Sequence, residues 1–75
     1  MERYRNIDGD SGVSAYEIGV DFIRVQFSTG ATYLYTYSSA GSANIEQMKI
    51  LAKKGDRLNS FINNTVCKLY AQKEH

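Results

Sequence analysis

The chain has 75 residues and a mass of 8.4 kDa, enough for one small domain with a thin core, because such a chain buries only about 60% of its unfolded surface. Hydrophobic residues make up 43% of it and charged residues 23%, values typical of globular domains that argue against intrinsic disorder. The formal net charge of +1 excludes a polycation that binds nucleic acid through bulk charge.

Residues 1–12 are predicted to form a flexible N-terminal segment. Asp8 and Asp10 lie among glycines, as in solvated turns, and the segment lacks the other ligands that a calcium loop requires. It contains no apolar stretch that could serve as a signal peptide or a membrane span. The sequence therefore predicts a cytoplasmic protein with no membrane partner.

A single domain is predicted over residues 13–72, beginning with three strands. Apolar residues recur at every second position between Ser14 and Phe27, with a change of phase beside Gly19. This pattern predicts one strand over roughly residues 14 to 19 and another over roughly 22 to 28. The β-branched and aromatic run Thr32–Tyr37 is the third strand, so we expect a three-stranded antiparallel meander.

Two helices are predicted to follow these strands. Ser42 is the expected N-cap of the first helix, and Gly55 its left-handed C-terminal residue. Asp56 is the expected cap of the second, whose apolar stripe extends to Tyr70. The stripe consists of Leu58, Phe61, Ile62, Val66, Leu69 and Tyr70. Strands followed by helices indicate an α+β fold with both helices packed on one face of the sheet.

The turn between the second and third strands decides which face Tyr33, Tyr35 and Tyr37 share. In a three-residue turn with Gly30 in the left-handed position, Val25 pairs with Tyr33 and the tyrosines join the core.

In a two-residue turn, Val25 pairs with Leu34 instead, and the tyrosines form an exposed stacking platform beside Arg24. The three-residue turn is favoured because it uses Gly30 where a left-handed residue is needed. The outermost tyrosine, Tyr37, stays a candidate partner contact in either register.

Several short motifs in the chain resemble a known family. They are Ile23-x-Val25-x-Phe27, then Gly30-x-x-Tyr33-x-Tyr35, then a helix and Lys54-Gly55-x-x-Leu58-Asn59-x-x-Ile62. This order resembles the KTSC domain, which takes its name from the C-terminus of some lysyl-tRNA synthetases. The resemblance runs from about Ser11 to Ile62. The chain departs from the family in having no proline after Tyr-x-Tyr, and Leu58 where phenylalanine is usual.

The resemblance implies the fold and a structural role for Gly30, Gly55 and Asn59. The function of the KTSC family is not established, and RNA binding has been suggested because of the synthetase association. The resemblance therefore implies a non-enzymatic binding module.

The residues themselves predict neither an enzyme nor a cofactor or metal site. Cys67 is the one cysteine and His75 the one histidine, at the chain end, so no zinc-binding cluster exists. Cys67 has no internal histidine to activate it and is expected to be a passive thiol.

Two binding hypotheses follow from the remaining features. Lys49, Lys53, Lys54 and Arg57 gather near the end of the first helix. Such a patch can hold RNA phosphates while Arg24 or an exposed tyrosine stacks on a base. The same lysines would also complement the helix dipole without any ligand.

The second hypothesis is a protein-interaction module, a small regulator or a homodimer. It uses an open sheet edge and the part of the second helix that carries Leu69 and Tyr70. The sequence alone leaves both hypotheses open.

Overall fold

Antiparallel strands and helices in the computed structural model, which describes residues 1–5 and 12–74, confirm the α+β class. The strands are β1 (Glu2–Arg3), β2 (Val13–Ile18), β3 (Phe22–Phe27), β4 (Thr32–Thr36) and β5 (Gln72–Lys73). The helices are α1 (Tyr37–Ala40), α2 (Ser42–Lys54) and α3 (Leu58–Phe61), and a π-helical turn (Ile62–Val66) continues α3 directly.

The sheet has five strands in the order β1-β2-β3-β4-β5, with every neighbouring pair antiparallel. The predicted three-stranded meander is therefore its centre, and the prediction of three strands was wrong. The two outer strands have two residues each, too few to produce an alternating apolar pattern in the sequence.

Residues 1–5 form part of the fold, whereas the sequence predicted that they belong to a flexible segment over residues 1–12. Glu2 pairs with Tyr16 on β2, and Tyr4 is only 4% exposed. The Tyr4 hydroxyl accepts a hydrogen bond of 3.1 Å from the backbone amide of Leu58 at the start of α3. The predicted Asp8 and Asp10 turn lies outside the described residues.

The turn between β3 and β4 has the three-residue form. Gly30 lies in the left-handed region at φ 96°, and the Phe27 amide donates to the carbonyl of Ala31 at 2.8 Å. Val25 consequently pairs with Tyr33. The predicted register, in which Tyr33 and Tyr35 face the core, is confirmed. The two-residue turn, which would expose these tyrosines as a stacking platform, is excluded.

The core lies between one face of the sheet and the helices. Its most buried sheet residues are Ile23, Val25 and Tyr35, and α2, α3 and the π-helical turn contribute Ile45, Met48, Ala52, Leu58, Ile62 and Val66. The opposite face of β3 and β4 carries half-exposed residues such as Arg24 and Leu34. The helices therefore cover one face, as the sequence predicted.

The second predicted helix is shorter than its apolar stripe. Helical backbone ends at Val66, and Leu69 and Tyr70 lie beyond it, 42% and 40% exposed. The chain then returns to the sheet, where the Ala71 amide donates to the Leu34 carbonyl at 2.6 Å. Leu69 and Tyr70 are thus not part of a helical face.

The helix starts also differ from the predicted caps. Ser42 is the first residue of α2 rather than its cap, because a short unpredicted helix, α1, precedes it. Thr36 caps α1 through a reciprocal pair of hydrogen bonds with Ser39. Asp56 does not cap α3, since Arg57 occupies that position. Gly55 ends α2 at φ 72°, as predicted.

Replacing Tyr4 by phenylalanine is expected to lower the free energy of unfolding by roughly 1–3 kcal/mol, because the buried amide of Leu58 then lacks its acceptor. Urea unfolding measures the change. Tyr70→Phe is the matched control, since its ring is partly exposed and its hydroxyl bonds to no described residue. Equal stabilities of the two variants would contradict the role of this bond.

Candidate functional site

Lys49 is held inside the fold and does not join the predicted basic patch. Its Nζ donates to the carbonyl of Val20 at 2.9 Å and to the carboxylate of Glu46 at 2.8 Å. The side chain is only 11% exposed, and its ammonium lies 5.5 Å from the centre of the Tyr37 ring. These contacts tie α2 to the turn between β2 and β3 and leave Lys49 unsuited to hold a phosphate.

Tyr37 belongs to the same group of side chains. It begins α1 instead of ending β4, and its hydroxyl donates to the carboxylate of Glu46. The hydrogen bonds from Lys49 and then Tyr37 hold the pKa of Glu46 below its ordinary value, while the bond to Glu46 raises the pKa of Lys49. The structure thus gives Tyr37 an internal partner, although its side chain is at the surface.

The rest of the predicted patch is exposed and is joined by Arg5, which follows β1. Lys53, Lys54 and Arg57 surround Gly55. The backbone of Arg5 lies so close that a Cβ atom on Gly55 would stand 2.4 Å from that of Arg5. We call Arg5, Lys53, Lys54 and Arg57 the basic turn. Sequence reasoning missed Arg5 because nothing local in the sequence signals the pairing of β1.

Arg57 has an unusual backbone conformation. Among the described residues other than glycine, it alone has a positive φ, which is 63°. Its side chain is 79% exposed, and its Nε is 3.9 Å from the carboxylate of Asp56. A left-handed backbone costs a residue with a Cβ about 1–2 kcal/mol. A strained, exposed cation therefore marks this turn.

Arg24 lies apart from the basic turn, on the open face of the sheet. Its guanidinium contacts the carboxylates of Glu74 at 2.7 Å and Glu17 at 3.0 Å, and it lies 4.9 Å from the centre of the Phe22 ring. The bond to Glu74 is the largest cause that raises the pKa of Arg24. Because two carboxylates and a ring already occupy it, Arg24 is poorly placed to stack on a base.

Tyr33 and Tyr35 face a cleft of about 370 Å³ at the end of the sheet that carries the Gly30 turn. Tyr35 is 1% exposed, whereas Tyr33 is half-buried. Phe27 and Tyr70 also line this space, which we call the aromatic cleft, and Cys67 contributes an exposed thiol. Sequence reasoning missed the cleft because Tyr70 was placed on a helix.

The remaining motif residues shape the backbone around these two regions. Gly30 makes the turn beside the cleft. Asn59 packs closely against Gly12, since a Cβ atom there would stand 2.3 Å from the Asn59 side chain. Because Gly55 has no side chain, Arg5 can lie close to it at the basic turn. Gly30 therefore acts through its left-handed backbone, whereas Gly55 and Asn59 lie at close contacts between segments.

The protein-interaction features are less prominent than the sequence indicated. The sheet edges are the two-residue strands β1 and β5, and such short edges offer few free backbone groups for pairing with another chain. Leu69 and Tyr70 lie on an irregular segment and form no helical stripe.

The described residues contain no group of three His, Cys, Asp or Glu side chains that could hold a metal ion. Within residues 1–5 and 12–74, no helix is both long and apolar enough to cross a bilayer.

Scans against protein-family models, curated proteins and solved structures found no match to this chain. The resemblance to the KTSC domain therefore stays an expectation from the sequence.

Replacing Glu46 by glutamine is expected to change how the free energy of unfolding depends on pH in the acid range. Because the pKa of Glu46 is lowered in the folded state, its ionised form stabilises the fold above its unfolded pKa, and that contribution disappears as the pH falls through the folded value. The stability gap between the wild type and Glu46→Gln should therefore close below about pH 4.

Urea unfolding across the acid range measures this gap. Glu2→Gln is the control, because Glu2 is exposed and has no ion pair among the described residues; it should alter stability little at any pH. A gap that stays constant down to the acid limit would show that ionised Glu46 does not stabilise the fold.

Proposed function

We propose that this protein binds single-stranded RNA by holding its phosphates at the basic turn. The observation that carries the proposal is the position of Arg5, two residues after β1, beside Lys53, Lys54 and Arg57 at the turn between α2 and α3. All four side chains are exposed. Clustered cations on a surface turn are suited to contact consecutive phosphates of a strand.

Ion pairing elsewhere supports this assignment. Arg24 and Lys49 are neutralised by Glu17, Glu74 and Glu46, whereas Lys53 and Lys54 form no ion pair with any described residue. A formal charge of only +1 is thus compatible with a local positive surface.

The backbone of Arg57 supports it too. A glycine would adopt the same conformation without strain, yet the position carries an exposed arginine in the left-handed region. Strained backbone of this kind is concentrated at functional sites. A guanidinium suits that role because its planar fork can hold a phosphate through two parallel hydrogen bonds.

The basic turn supplies phosphate contacts and no means of reading bases. Tyr37, Lys49 and Arg24, which the sequence also predicted as stacking or charged contacts, are occupied by internal partners. Contacts to the backbone position a strand without selecting its sequence. Binding at this surface should therefore be salt-sensitive and show little sequence preference.

The affinity for a labelled oligouridylate should fall with salt, with a slope of about −0.7 for each phosphate neutralised. The triple variant Arg5→Gln, Lys53→Gln and Lys54→Gln should bind more weakly. Its affinity should also depend less steeply on salt, because fewer phosphates are neutralised. Fluorescence anisotropy at several salt concentrations measures both quantities. Lys68→Gln is the control, since this exposed lysine follows the π-helical turn and should leave both unchanged.

Replacing Arg57 by glycine separates strain from function. The fold should become more stable by about 0.5–1 kcal/mol, because the relieved strain exceeds the entropy that glycine loses on folding, while the affinity for the oligonucleotide falls. Unfolding and anisotropy on the same sample measure the two effects. A wild-type protein that forms no salt-sensitive complex, or an Arg57→Gly variant that binds as tightly as the wild type, would overturn the proposal.

A further inference from the structure

The aromatic cleft is built mainly from flat rings. The ring centres of Tyr33 and Tyr70 are 4.7 Å apart, and Phe27 meets Tyr33 edge-on at 5.6 Å. Tyr70 also lies edge-on to Tyr35, at 6.4 Å. Because Tyr70 is 40% exposed, part of its ring is open to a ligand, and planar walls of this kind favour a planar occupant.

The lining of the cleft carries no carboxylate, ammonium or guanidinium group among the described residues. Its polar groups are hydroxyls, a thiol and the amide of Asn63. The Lys73 ammonium lies 5.8 Å from the centre of the Tyr33 ring but does not line the cleft. A charged ligand would therefore lose hydration without gaining an opposite charge from the lining residues. The lining therefore favours an uncharged ligand, and a volume of about 370 Å³ lies within the range of small-molecule sites.

The Tyr35 hydroxyl is the unusual group of the cleft. Tyr35 is 1% exposed, and its hydroxyl makes no hydrogen bond to any described residue. Tyr35 lines the cleft together with Tyr33, Cys67 and Tyr70. Burial raises its pKa, so it stays protonated and can donate a hydrogen bond.

We infer that the aromatic cleft binds a planar, uncharged heteroaromatic ring that packs against Tyr70 and accepts a hydrogen bond from the hydroxyl of Tyr35. Such a ligand would give this hydroxyl, which makes no hydrogen bond to a described residue, an acceptor inside the cleft. Two sources share this chemistry: a base of a single strand and a free heteroaromatic compound. The inference goes beyond the proposed function, because no residue of the basic turn lines the cleft.

Adenosine and uridine test the inference, because they carry bases without phosphate. Cys67 is the one cysteine of the chain and lines the cleft, so its rate of alkylation by iodoacetamide reports occupancy of this site. Either nucleoside should slow the alkylation in a saturable manner. The same assay with an oligouridylate distinguishes a free ligand from a base within a strand.

Two variants connect the binding to the named side chains. Tyr35→Phe keeps the ring and removes the donor, so the affinity should fall by roughly three- to tenfold. Tyr70→Ala removes a stacking surface, and the affinity should fall by roughly tenfold or more. Tyr37→Phe, outside the cleft, is the control and should bind as the wild type does. Thermal unfolding confirms that each variant is folded.

The outcomes separate the cleft from the basic turn. Protection of Cys67 by a nucleoside, or by the oligonucleotide alone, supports the inference if Tyr35→Phe weakens it. The triple variant of the basic turn should bind nucleosides as the wild type does, so the failure of one proposal leaves the other standing. Cys67 that no probe protects, or protection that Tyr35→Phe leaves unchanged, would overturn the inference.

Discussion

The three-residue turn that ends at Gly30 fixes the register on which the other contacts depend. It sets Val25 opposite Tyr33 and Ile23 opposite Tyr35, and a slip of one residue would move every side chain of β4 to the other face. In the observed register Tyr35 completes the core and leaves its hydroxyl beside the cleft. The same turn therefore determines both how the sheet is buried and where its tyrosines can act.

The two ends of the chain complete the sheet, and each brings a residue to a candidate site. Tyr4 joins β1 to α3 through the amide of Leu58, and this holds Arg5 beside Gly55. At the other end, β5 follows directly after Tyr70, which contacts Tyr33 and Tyr35. Both candidate sites thus depend on short terminal strands that contribute little to the core themselves.

The basic residues of α2 differ in burial, and this determines which of them can contact a ligand. Lys49 and Lys53 are one helical turn apart, yet Lys49 is enclosed by Tyr37, Glu46 and Val20, whereas Lys53 stays at the surface. The difference arises because α1 places Tyr37 over that part of α2. A sequence pattern gives both lysines the same polar face, and only packing against a neighbouring element separates them.

Local patterns in the sequence determined the central strands, the end of α2 at Gly55 and the turn at Gly30, because each depends on alternation or on a left-handed residue within a few positions. The sequence also determined the α+β class, and it pointed to Lys53, Lys54 and Arg57. It could not identify β1 and β5, since strands of two residues have no period and form only when a neighbouring strand is already in place.

Tertiary structure alone decided which groups are available to a ligand. It enclosed Lys49, paired Arg24 with carboxylates, added Arg5 to the basic turn and moved Tyr70 from a predicted helix to the aromatic cleft. These outcomes depend on contacts between residues far apart in the chain, which no periodicity records. Local pattern determined the three central strands and α2, and the assembly of all the elements decided which charges and rings face outward.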